Sequence, residues 1–369
     1  MPLFSDGFRP FFLAASGFAV FHVIAWVAFL TGSGQGAVGW SPLVWHGHEM
    51  VFGFAAALIA GFLLTAVGNW TGRLVAGPRL IAGLAVLWLV PRIGLVWPVL
   101  PMPVVEVLAA AFFPALTLVV AVPILATRNR RNYPVLAILT ALSLAGVAVH
   151  LWPSVAFLRA AIDVVMILLV FIGARVIPFF TGRGLPTLGV KDNAQLGHVS
   201  VAAVIAAVIA GWLAPTAAWP GWVAVAAALL LAARMTYWKP WGTLGVPLLW
   251  ILHVGYLWIV IALALRATPF PPAATLHALT MGALGSLAIG MMTRVALGHS
   301  GRPLRADGWM VTAFVLIATA VVPRLIYPLL PFNAGRLALV VAAALWVAGF
   351  LVYFVRFVPV MFTRRRATS

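Results

Sequence analysis

Trp45-His46-Gly47-His48-Glu49-Met50 opens an apolar run that continues through Phe52, Leu58 and Leu63 to Val67. A helix of that length crosses the hydrocarbon core of a bilayer, and the run is too long for a strand. Two imidazoles and a carboxylate at its head are expensive inside a membrane unless something pairs with them. The stretch therefore sets two expectations: a transmembrane helix, and a polar site at one end of it.

Runs of this kind recur along all 369 residues, which are 64% hydrophobic and only 8% charged, with a mean hydropathy of +1.12. A soluble chain carries about a quarter charged residues. In lipid each run must satisfy its own backbone, which favours helices, whereas barrel strands would read as roughly ten-residue alternating segments. The expected fold is an all-α polytopic membrane bundle of about twelve transmembrane helices. They are expected over Phe8–Thr31, Val44–Val67, Leu80–Trp97, Val104–Ala126, Tyr133–Trp152, Phe157–Phe180, Gly197–Ala214, Pro220–Arg234, Leu244–Leu265, Ala273–Leu297, Gly308–Tyr327 and Arg336–Val358. No connector is long enough to fold separately and no convincing repeat relates the halves, so residues 1–369 read as a single transmembrane domain. The first run lacks a clean small-residue cleavage site and reads as a retained span.

The net charge of +17 would suggest nucleic acid in a soluble protein. Here the basic residues sit in alternate connectors: Arg73 and Arg79; Arg128, Arg130 and Arg131; Arg183 and Lys191; Arg234 and Lys239; Arg302 and Arg305. Arg9 and the tail Arg364-Arg365-Arg366 fall on the same side. That bias predicts both termini in the cytoplasm and makes the lipid bilayer, not nucleic acid, the partner of the charge. The absence of cysteine excludes disulfides, thiolate metal sites and covalent c-type haem attachment.

Metal chemistry must then rest on histidine, carboxylate, methionine, tyrosine or backbone. Neutral imidazole is a good ligand for iron, copper and zinc. His46 and Glu49 share a helix face, whereas His46 and His48 point apart unless Gly47 breaks the helix. His277 is expected about one turn inside the outer end of the tenth span and His253 near mid-depth in the ninth, so these stretches and Trp45–Met50 can converge in the outer leaflet. His299 ends the tenth span about 33 Å of helix from His277, too far for one metal to use both. Glu49 is a candidate ligand, tautomer-fixing partner or proton carrier. The competing reading places His46 and His48 in an interfacial aromatic belt with Trp40 and Trp45, and gives His253 and His277 helix–helix hydrogen bonds. His22, His150 and His198 read as structural or interfacial. Arg92, Arg175 and Arg294 are cations near or inside spans, suited to an anion such as a propionate; snorkelling to headgroups is the plainer reading for Arg175 and Arg294. Asp163 is a candidate on a proton path.

Four stretches carry a family resemblance. They are Gly7-Phe8-Arg9-Pro10-Phe11-Phe12; Trp45-His46-Gly47-His48-Glu49-Met50 through Asn69-Trp70-Thr71-Gly72; Arg175-Val176-Ile177-Pro178-Phe179-Phe180-Thr181; and His277-Ala278-Leu279-Thr280-Met281-Gly282-Ala283 through Met292-Thr293-Arg294 to Gly298-His299-Ser300-Gly301-Arg302-Pro303-Leu304. With these in order, the chain resembles the NnrS family of bacterial membrane haem–copper proteins. The resemblance implies haem b, copper, the bacterial cytoplasmic membrane, and a role in nitric oxide metabolism or defence against nitrosative stress. It places His46, His48, His253, His277 and His299 in or near family-like segments without assigning each to a metal.

Three functions suit these residues. One is an oxidoreductase that binds and reduces nitric oxide at a metal site in the outer half of the bundle, with Glu49 assisting proton delivery and a quinol or external donor supplying electrons. The second is a non-catalytic protein that binds nitric oxide or buffers metal. The third is a twelve-helix transporter, for which the sequence offers few coupling residues beyond Glu49, Glu106 and Asp163.

Overall fold

A computed structural model describes residues 2–36, 39–97 and 99–364. Arg365 and Arg366 of the basic tail lie outside the described residues. Among the described residues there are no strands, and twelve helices are long and apolar enough to cross a membrane. They are α1 (Phe8–Leu30), α2 (Pro42–Thr71), α3 (Pro78–Val96), α4 (Met102–Ala126), α5 (Arg130–Leu151), α6 (Val155–Gly184), α7 (Ala194–Leu213), α8 (Trp219–Tyr237), α9 (Pro247–Leu265), α10 (Pro272–His299), α11 (Gly308–Leu329) and α12 (Phe332–Phe362). Each coincides with one expected span.

Local chemistry sets the boundaries. Proline opens α2, α3, α9 and α10, where its missing N–H costs nothing. Asn193 and Asp307 cap α7 and α11, accepting from the amides of Leu196 and Met310 at 3.0 Å. Gly72 ends α2 at φ +66, a conformation that suits glycine. Pro123 and Pro178 do not stop their helices: α4 runs on to Ala126 and α6 to Gly184.

The chain forms two compact units. The first comprises residues 1–164, 294–304 and 350–369; the second comprises 165–293 and 305–349. α2 is buried over 83% of its most apolar window and α10 over 72%, against 28–56% for the other ten helices. These two are also the helices with a π-helical turn, Glu49–Ala55 in α2 and Ala278–Gly285 in α10.

In the first unit α1 lies along α2. Phe8, Phe11 and Phe12 are fully buried, and a Cβ on Gly61 of α2 would meet the Phe12 ring at 2.7 Å, so glycine permits the close approach. Arg9, one of the basic residues read as setting topology, is buried as well. Its Nη1 donates to the carbonyls of Met361 at 2.9 Å and Thr363 at 2.7 Å, and its Nε pairs with Asp6 at 3.0 Å. Arg9 thus satisfies the last carbonyls of α12, which have no partner within the helix. The two termini are held together at one end of this unit.

Candidate functional site

The π turn of α2 comes directly after the histidines. Gly47 does not break the helix: Pro42–His48 is regular, and a Cβ at Gly47 would meet Leu158 of α6 at 2.8 Å. The two histidines therefore face different partners, as their spacing requires. His46 turns toward α1. Its Nδ1 lies 3.2 Å from Nε2 of His22, and the indole of Trp26 stacks on it at 4.4 Å. His48 turns toward α5, where its Nε2 lies 3.3 Å from Nε2 of His150. Trp40 stands edge-on to His48 at 4.7 Å, and Phe52 stacks against it at 5.1 Å.

Glu49 joins this cluster through its neighbour in sequence rather than through His46, three residues back. Its Oε1 accepts from Nδ1 of His48 at 2.7 Å, and its Oε2 lies 3.1 Å from Nε of Arg92 on α3. All three side chains are buried. A carboxylate in such surroundings is held by the opposite charge beside it; without Arg92 it would be a buried, uncompensated ion.

The π turn makes this arrangement possible. A π turn inserts one residue into an α-helix and rearranges its carbonyl bonding. Side chains of α3 take two consecutive carbonyls in the inserted segment: Arg92 Nη1 donates to Phe52 O at 2.8 Å, and Trp88 Nε1 donates to Gly53 O at 2.9 Å. Trp88 and Arg92 stand four apart, on one face of α3.

The hydrogen bonds assign the ring protons. With Glu49 accepting from Nδ1–H, His48 keeps its lone pair on Nε2, which faces His150. A carboxylate behind an imidazole is the usual way to orient a metal-binding histidine. Two nitrogens about 2.0 Å from one metal, near a tetrahedral angle apart, stand about 3.3 Å from each other, the separation found between His48 and His150. His150 Nδ1 is buried without a hydrogen-bond partner among the described residues. The pair thus fits one copper ion with coordination positions left open. Among the described residues no three His, Asp or Glu side chains are grouped to enclose a metal.

His22 and His150, read from sequence as structural, thus stand inside the cluster, and Arg92 stands beside them. Nothing in their local spacing reveals this, since each is recruited by tertiary contact from α1, α5 or α3.

His253 and His277 belong to the second unit, and the structure does not bring them together. A Cβ on Gly282 would meet the Trp258 ring at 2.6 Å, and one on Gly255 would meet Leu287 at 2.7 Å. That register sets His277 beside the last turn of α9, roughly 15 Å along the axis from His253. His277 Nδ1 donates to Ala273 O at 2.6 Å, which leaves its lone pair on Nε2. A backbone carbonyl on Nδ1 commonly fixes the tautomer of a metal-binding histidine, so the donor chemistry of His277 fits a haem iron. His299 falls in the first unit, with its ring 5.8 Å from that of Phe8. Arg175 lays its guanidinium over Phe171 at 4.9 Å. Arg294 begins the stretch of α10 that joins the first unit.

No curated protein matches this sequence. The family model described as NnrS protein matches residues 2–365, which include all twelve helices, and the chain belongs to the NnrS family.

Proposed function

We propose that this protein handles nitric oxide at a copper site held by His48 and His150, with a haem b ligated by His277. The observation that carries the reading is the relay of Arg92, Glu49 and His48, which aims the free Nε2 of His48 at a second imidazole. Copper and haem, when bound, supply redox-active centres with affinity for nitric oxide.

The chain's own residues do the rest. Glu49 orients His48 and fixes its proton on Nδ1. Arg92 holds Glu49 as the carboxylate. Trp26, Trp40, Trp45 and Phe52 wall the histidines with aromatic surface, which excludes water and admits a small apolar gas from the lipid. The membrane is the bacterial cytoplasmic membrane, both termini are cytoplasmic, and the histidine cluster lies toward the periplasm.

One observation favours binding over turnover. Both Glu49 oxygens are engaged, Oε1 by His48 and Oε2 by Arg92, so the carboxylate acts as a fixed orienting group rather than a mobile proton carrier. In this second reading the protein captures nitric oxide or buffers metal without reducing it. Reduction would further require protons and an electron donor, a quinol or an external protein.

The test is metal analysis with reduced-minus-oxidised absorption spectra, before and after nitric oxide, on protein from cells supplied with copper and haem. His48→Ala and His150→Ala should each lose copper and keep haem, and His277→Ala should lose the haem signal. Wild-type protein with neither copper nor haem would overturn the proposal. Nitric oxide consumption with a reductant separates turnover from binding.

A further inference from the structure

The second unit holds a polar cluster that the copper reading does not use. Its centre is His253 on α9, 4% exposed. Thr181 of α6 stands 3.0 Å from His253 Nε2, and the Thr181 hydroxyl donates its one proton to Ile177 O at 2.8 Å. Thr181 Oγ1 must therefore accept from the ring, so Nε2 carries the proton and Nδ1 carries the lone pair. That Nδ1 is buried and has no hydrogen-bond partner among the described residues.

Two neighbouring aromatic residues carry further buried polar atoms, equally without a hydrogen-bond partner among the described residues. Trp238, just past α8, has its ring 6.4 Å from that of His253 and 4.9 Å from that of Tyr256; its Nε1 has no hydrogen-bond partner among the described residues. Tyr256 stands three residues after His253 on the same face of α9, and its hydroxyl likewise has none among them. Trp238 and Tyr256 are both fully buried. Leaving one such group unmet costs about 1–3 kcal/mol, and native interiors seldom leave three unmet on neighbouring residues.

The three atoms are chemically complementary to one kind of group. Trp238 can only donate, Tyr256 can donate, and His253 Nδ1 can only accept. A hydroxyl placed among them accepts from the indole and the phenol and donates to the imidazole. We propose that the second unit binds a hydroxyl group between His253 Nδ1, Trp238 Nε1 and Tyr256 Oη, supplied either by an ordered water or by the phenolic head of a hydroquinone. A carbonyl, nitrile or halide offers no proton to His253, and an ammonium offers no acceptor to Trp238.

The cluster also has a polar edge. The Arg234 guanidinium lies 5.5 Å over the Trp238 ring and binds both oxygens of Asp192 at 3.0 and 3.1 Å. The Asp192 side chain is 42% exposed, so the site connects through an ion pair to the surface. This inference does not depend on copper or haem, because none of its residues is one proposed to hold either.

The test is nitrogen-15 NMR of histidine-labelled full-length protein in nanodiscs of quinone-free lipid, before and after a hydroquinone is added. His253→Gln identifies the resonance by its loss. Should that variant fail to fold, Thr181→Val marks the resonance by changing only the partner of Nε2. A hydrogen-bonded Nδ1 in quinone-free lipid, unmoved by hydroquinone, assigns the hydroxyl to water. A bare lone pair that becomes bonded on addition assigns it to the hydroquinone. A bare lone pair under both conditions overturns the proposal. The infrared N–H stretch of Trp238, from the wild-type minus Trp238→Phe difference, must shift to the bonded position under the same condition; a free stretch throughout is a second route to refutation.

Discussion

α2 and α10 are built alike. Each opens on proline, carries a histidine in its first two turns, passes through a π turn and continues as regular helix. The helices before them match too: Phe8-Arg9-Pro10-Phe11 heads α1, Trp238-Lys239-Pro240-Trp241 precedes α9, and His22 stands as far from His46 as His253 stands from His277. The resemblance stops at the polar content. Where α2 has His48 and Glu49, the matching positions of α10 are Leu279 and Thr280. The histidines of the first hairpin meet at 3.2 Å, whereas those of the second lie roughly 15 Å apart along the axis. A hairpin with a π turn is thus a scaffold, and the helices packed on it decide its chemistry. α3 and α5 bring Arg92, Trp88 and His150 to the first hairpin; α6 and α8 bring Thr181 and Trp238 to the second.

That contrast can be broken at its charges first. Arg92→Leu strands Glu49 in the interior and should cost about 3–5 kcal/mol, read as a large fall in detergent thermal stability. The comparison variant Arg234→Leu releases Asp192, which is already 42% exposed, and should cost much less. Equal losses would mean that the two ion pairs do the same job. Next comes metal content: His48→Ala should abolish copper binding, while His253→Ala should leave it unchanged. Copper lost in both variants would join what the comparison separates. Glu49→Gln keeps the shape but weakens the orienting bond, and should lower copper affinity by about 10–100-fold in a competition titration. Trp88→Phe removes the side-chain donor to Gly53 O in the π turn and should cost about 1–1.5 kcal/mol by the same thermal assay. Thr181→Val is the mildest change, about 1 kcal/mol, and should leave copper untouched.

The twelve helices were legible in the sequence because lipid enforces one structure on any sufficiently long apolar run. The Trp45–Met50 motif was legible as a polar cluster for the same reason: ionisable side chains there require partners. Those partners were not legible. His22 and His150 sit singly in apolar helices, and only packing reveals that each ends 3.2–3.3 Å from another ring. The π turns carry no periodic signature, so the spacing that sets Glu49 on a helix face with His46 does not show that its carboxylate meets His48. Arg9 reads as a topology charge because sequence cannot show a helix end arriving from the far end of the chain. His253 lies in the middle part of α9 (Pro247–Leu265), beside Trp238, in keeping with the mid-depth position read from sequence.

Arg9 has a consequence for biogenesis. Its acceptors at Val360 and Met361 are 351 and 352 residues downstream, so at about 5–20 residues per second the ribosome needs roughly 20–70 s to supply them. Through that interval the guanidinium must wait at the headgroups or be shielded by an insertase, and it enters the protein only when α12 arrives. Arg9 in effect registers that α12 has been made. A chain stopped before Val360 should expose this cation and be cleared by membrane proteases. Equal half-lives for the truncated and full-length chains in a pulse-chase would show that no such inspection occurs.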